Sequence, residues 1–168
     1  MILFQNLLRI LFQRGSPERI LYLRKLFIAS LFGALAASAL VQHFVYLDHL
    51  VFVILRIFAE LTMFMLWVVF LTAKVARLRL ANMMLVLLLI SITVDLTTLL
   101  VGLFTPLEGR IWVGIVLGAI ATYGIGNVVG WALRSSIQVG MLHFISYIAL
   151  VTALDLSFRG LYHTMVVA

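Results

Sequence analysis

Five stretches of about twenty apolar residues, separated by short polar breaks, constrain this chain more than any other feature. Water is a poor solvent for such a chain. Of its 168 residues, 65% are hydrophobic and 11% charged, and the mean hydropathy is +1.22. A sphere this small cannot cover that much apolar surface, whereas a bilayer can. In hydrocarbon every backbone N–H and C=O has to be satisfied inside its own segment, so each stretch is expected as an α-helix. The reading is an all-α polytopic membrane bundle of five transmembrane helices, preceded by an N-terminal amphipathic interfacial helix.

The breaks set the organisation. Residues 1–15, MILFQNLLRILFQRG, are too short and interrupted to cross: Gln5, Arg9 and Gln13 recur every fourth position, with leucines and isoleucines around the rest of the circumference. That pattern suits a helix lying in the membrane interface, or one packed against a partner protein. Ser16-Pro17-Glu18 then carries the marks of a helix start: an N-cap serine, a proline at the first helical position and an acid in the first turn. The five-helix bundle occupies residues 16–168, with spans at about 26–47, 49–73, 80–104, 111–133 and 137–156. The tail after 156 either extends the last helix or lies in the interface.

The net charge of +6 is informative through its distribution. Arg9, Arg14, Arg19, Arg24, Lys25, Lys74, Arg77, Arg79 and Arg134 collect on one side of the membrane, Arg110 and Arg159 on the other. Lysine and arginine in short loops mark the cytoplasmic face. The N-terminus is therefore expected in the cytoplasm of a bacterial inner membrane and the C-terminus outside. The charge is a topology signal, so no nucleic-acid partner is expected. With no cysteine, the chain has neither disulfides nor thiolate metal sites.

Lipid tails are as apolar as leucine, so helices pair through close backbone packing and hydrogen bonds. Gly114, Gly118, Thr122, Gly126 and Gly130 recur every fourth residue along the fourth span, and Ala29, Gly33, Ala36 and Ala37 offer a similar face on the first. These two spans are expected to pack closely, on each other or on a partner. Trp67, Trp112 and Trp131 fall near span ends, where amphipathic rings anchor.

Ionisable residues inside a span cost about 2.5–3.5 kcal/mol at a helix centre and need a reason. Arg56 and Glu60 are four apart on the second span, and Asp95 on the third lies at similar depth to Glu60. An Arg56–Glu60–Asp95 cluster follows: a proton or cation site, a polar clasp between helices, or a site where Glu60 or Asp95 meets a basic residue of another subunit. Asn127 and His143 form a second expected pair, joining the last two spans, with Tyr123 and Tyr147 one turn deeper. Asp155 and Arg159 are placed for an interfacial ion pair. His43, Asp48 and His49 supply too few ligands for a metal site. No metal-hydrolase, nucleophile-elbow, phosphate-loop or dinucleotide motif is present, so no catalytic residue and no cofactor are expected.

The segments LLRILFQRGSPERI, LWVVFLTAKVARLRLANMM and GWALRSSIQVGMLHFISYIAL, with five short-looped spans after a basic amino terminus, resemble the Yip-type five-helix membrane family, in its small bacterial members. The resemblance implies a membrane adaptor with no catalytic residues; the long cytoplasmic region of eukaryotic members is missing. The function expected first is a non-enzymatic small subunit, adaptor or assembly factor of a larger inner-membrane complex, partnered by the lipid bilayer and by other membrane subunits or further copies of itself. The alternative is a proton- or cation-coupled transporter or channel component using Arg56, Glu60 and Asp95.

Overall fold

The computed structural model describes residues 24–167. The expected interfacial helix of residues 1–15 and the Ser16-Pro17-Glu18 start lie outside the described residues. Among the described residues, five helices are long and apolar enough to cross a membrane. We call them α1 (Arg24–Leu40, continued by a π-helical turn, Val41–Val45), α2 (Leu50–Thr72), α3 (Arg77–Phe104), α4 (Leu107–Ala132) and α5 (Ile137–Val167).

The structure fixes three boundaries, each for a local reason. The expected loop Glu108-Gly109-Arg110 is instead the first turn of α4, which begins directly after Pro106 with Glu108 in its first turn. Proline suits a helix start, and an acid there complements the helix dipole. Helix α5 runs past 156 to Val167, its C-terminal part supported by the Arg159–Asp155 pair one turn apart. The first span ends in a wide turn, closed by bonds from Tyr46 N to Val41 O and Asp48 N to Gln42 O, with Leu47 at φ 59°. At the opposite end Arg134, at φ 53°, takes the left-handed position after α4 that glycine usually fills, and Ser135 N reaches back to Gly130 O. Arg110 caps the first span from outside, donating to the carbonyls of Phe44 (3.3 Å) and Val45 (3.1 Å).

The helices stand in a ring, in the order α1, α3, α4, α5, α2, with α2 closing back on α1. Sequence neighbours α2 and α3 barely touch, and the α1–α2 seam is the loosest in the ring. The most extensive packing is α4 on α5, set by glycines. A methyl group at Gly140 would run into Gly126 O and lie 2.6 Å from Gly130 N, so these backbones meet with no side chain between them. The ridge expected to join the first and fourth spans is thus used by α5. Helix α1 lies on α3, where Gly33 faces Ile92, and the smooth faces of α1 and α4 do not pair along their length.

The apolar core fills the end of the ring near the 73–76 and 133–136 turns. It is built on α3, whose Met83, Leu85, Val86 and Ile90 have no solvent exposure, together with Leu71, Val128 and Val129. Away from that end the ring is hollow.

Candidate functional site

Next to the core the ring opens into a cavity of about 420 Å³, to which all five spans contribute. Its wall changes along the bundle axis. Toward the Asp48 end it is polar, with Ser38, Gln42, Tyr46, Glu60, Asp95 and Thr98; toward the core it is apolar and aromatic, with Leu31, Phe64, Trp67, Leu87, Ile125 and Phe144. Helical periodicity produces this gradient. Glu60, Phe64 and Trp67 share one face of α2, and Leu88, Ser91, Asp95 and Thr98 share one face of α3. Each face passes from polar to apolar within about 15 Å.

A line of alternating charges leads from the Asp48 end to this cavity. Arg159 grips the Asp48 carboxylate with both terminal guanidinium nitrogens, Nη1 and Nη2, at 3.3 and 2.9 Å. Its Nε donates to Asp155 at 3.1 Å. The same Asp155 oxygen lies 3.6 Å from Arg56 Nη1. Arg56 Nε donates to Glu60 at 2.9 Å, and the other Glu60 oxygen accepts from Ser38 at 3.0 Å. The alternation has a physical basis: a buried charge is tolerated where an opposite charge and hydrogen bonds replace water. The network ties α1, α2 and α5 to the loop at Asp48. Phe52, under the Arg159 guanidinium at 4.9 Å, covers one side of it.

Asp95 is different. It lines the cavity; among the described residues its only hydrogen bond is from the Ser91 hydroxyl at 3.3 Å, and no arginine, lysine or histidine pairs with it. It is close enough to Glu60 for their charges to interact. A carboxyl in that position is stable once it takes up a proton or a cation. Tyr46 closes this end of the cavity, its hydroxyl seated where a methyl at Gly114 would stand.

The expected site residues are therefore redistributed. Arg56 and Glu60 form an ion pair, but the further acid on Arg56 is Asp155, and Asp95 lines the same cavity without an ion pair to Arg56. The reason is that α2 packs on α5 and scarcely on α3. Asp155, expected at an interface, is 5% exposed, and its Oδ1 is buried without a hydrogen-bond partner. His143 lies with its ring 6.2 Å from Phe70 of α2, and Asn127 is half-buried on α4; neither lines the cavity. Gly114 and Gly118 line the cavity, whereas Gly126 and Gly130 receive α5.

Trp67 does not sit outward as an interfacial anchor. It lines the cavity, packs 5.2 Å from the Tyr147 ring and has its Nε1 buried without a partner. Trp112 is 68% exposed, as an anchor would be, and Arg79 lies 5.6 Å over the Trp131 ring. His43 turns a ring nitrogen to Asp48 O at 3.2 Å, and His49 lies beside Phe52. No group of three or more potential metal ligands occurs among the described residues. Sequence reasoning missed Tyr46, the Ser38–Glu60 bond and the Asp48–Arg159 link, and it set Tyr147 beside the Asn127–His143 pair without signalling its place in the cavity wall. The Asp48–Arg159 link joins residues 111 apart, and no spacing signals it.

Comparison with family models, with curated proteins and with solved structures finds no match to this chain.

Proposed function

We propose that the chain is a proton- or cation-coupled carrier component of a bacterial inner membrane, with Asp95 as the carboxyl that takes the cation inside the central cavity. One observation carries this reading: Glu60, Asp155 and Asp48 are each tied to an arginine, while Asp95 faces open space with a single hydroxyl for company. An intramembrane acid held this way is a functional candidate, because a purely structural clasp would have given it a partner. The Arg56–Glu60–Ser38 group then acts as the fixed wall against which Asp95 changes its proton or cation. The distribution of lysine and arginine supports a cytoplasmic N-terminus and an outside C-terminus, with the Asp48 end of the cavity toward the outside.

The reading as a small subunit, adaptor or assembly factor, which the Yip-type resemblance also suggests, rests on the small-residue ridges, the expected interfacial helix and the short loops. Gly126 and Gly130 are occupied within the chain; Gly118, where an added methyl would meet nothing, is the remaining smooth position of that ridge.

The test is proton uptake into proteoliposomes containing a trapped pH dye, driven by a potassium diffusion potential. Asp95→Asn should abolish uptake while eluting as the unmodified protein does, and Glu108→Gln, at an exposed site, should leave it unchanged. Equal uptake by Asp95→Asn and the unmodified chain would refute the carrier reading. A stoichiometric membrane partner recovered in mild detergent from a flux-inactive chain would favour the subunit reading.

A further inference from the structure

The cavity is also informative about what it would hold. Resting on the reading of Asp95 above, we infer that it takes an organic monocation, an amine carrying an aromatic or alkyl body, in preference to an inorganic ion.

The argument begins with the donors a bare ion would need. A metal ion or sodium replaces its hydration shell with several oxygens. Near Asp95 the wall offers few that are free. Both Glu60 oxygens are engaged, one by Arg56 and the other by Ser38. The Ser91 hydroxyl donates to Asp95 and Thr98 to Val94 O within its own helix, so the neutral oxygens left to a bare ion are the remaining lone pairs of these hydroxyls with Gln42 and Tyr46. The Arg56 guanidinium opposes a divalent ion nearby about twice as strongly as a monocation. An ammonium asks for less, because one carboxylate and a few hydrogen bonds satisfy it.

The rest of the cavity suits what an ammonium would carry. The Trp67 and Tyr147 rings lie 5.2 Å apart, with Phe144 6.2 Å beyond Tyr147 in a nearly parallel plane. Tyr147 joins the two regions, since its hydroxyl points to the Glu60 carbonyl at 3.5 Å while its ring belongs to the aromatic wall. Aromatic faces attract organic cations and bury their apolar bodies. The volume of about 420 Å³ falls in the range of small-molecule pockets, roughly 300–1,000 Å³. Such a ligand is itself amphipathic, and the loosest seam of the ring, between α1 and α2, has Leu31, Leu35 and Leu61 among the cavity residues of its two helices. A charged head at Asp95 and a body along Trp67 would match the polar-to-apolar gradient of the wall.

The experiment uses the full chain with Trp112→Phe and Trp131→Phe, leaving Trp67 as the fluorescent reporter, in detergent at constant pH. The probes are 4-phenylbutylammonium, its neutral counterpart 4-phenylbutanol, and sodium, potassium and magnesium chlorides. The amine should change Trp67 emission saturably and bind about tenfold or more tightly than the alcohol. The salts should compete no more than ionic strength alone predicts. Asp95→Asn should bring amine and alcohol to similar affinity while both still bind.

Failure of the amine to give a saturable change, equal binding of amine and alcohol, or specific competition by one metal ion would each overturn the inference. Calorimetric titration of the unmodified chain gives the same comparison if the tryptophan substitutions unfold the protein. Proton uptake that persists without amine binding would sink this inference and leave the carrier reading intact; amine binding without uptake would do the reverse.

Discussion

Alanine at Gly140 should separate α4 from α5, and the size of the effect follows from the atoms it would meet. The new methyl would overlap Gly126 O, lie 2.6 Å from Gly130 N and 2.9 Å from Gly126 C. All three are backbone atoms of α4, so no rotamer change relieves the contact. To reach ordinary separation the helices have to part by on the order of 1 Å, which loosens the most extensive interface in the bundle. Overpacking of this kind costs about 1–3 kcal/mol, and with no flexible neighbour the upper part of that range applies. The control is Gly160→Ala on the same helix, where an added methyl meets nothing within 4 Å. It should be neutral or stabilising by up to about 1 kcal/mol, since alanine is the better helix former. Thermal unfolding in one detergent, followed by loss of monodisperse protein, compares the two directly. Gly140→Ala should melt roughly 5 °C or more below Gly160→Ala. Equal melting temperatures would refute the claim that backbone contact at Gly126, Gly130 and Gly140 holds α4 to α5.

Asp155→Asn leaves Arg56 and Arg159 without the acid between them and should destabilise the bundle by about 2–4 kcal/mol. A double-mutant cycle with Arg159→Gln should give a coupling above about 1 kcal/mol, and additive effects would show that the two side chains are independent. Spin-labelled lipids should quench single-tryptophan variants retaining Trp112 strongly and those retaining Trp67 weakly, because Trp112 is 68% exposed and Trp67 faces the cavity. Equal quenching would return Trp67 to the membrane surface.

Much of the architecture was legible before any coordinates, because hydrocarbon leaves a chain few choices. Apolar runs of spanning length become helices when their backbone has no other partner, so the number of spans and their approximate limits could be read directly. The helix start after Pro106 was legible in principle, since proline followed by Glu108 is a start signal, yet the polar triplet 108–110 looked like a loop. The Arg56–Glu60 and Asp155–Arg159 pairs were visible for the same reason as the helices: interactions four residues apart are local.

What joins one helix to another was not local, and there the reading diverged. A small-residue ridge states that some backbone approaches closely without stating which one. Gly126 and Gly130 receive Gly140, a residue no pattern singled out, and Gly114 makes room for a tyrosine hydroxyl. Similar depth put Asp95 with Glu60 and so in one cluster with Arg56, but the ring order places α5 against α2 and brings Asp155 to Arg56. Sequence by itself determined the helices, their lengths and the residues on each face, because these depend on the solvent and on 3.6-residue periodicity. Only the tertiary structure decided the order of helices around the ring. That order left one carboxyl facing a hollow while the other acids near it found arginines.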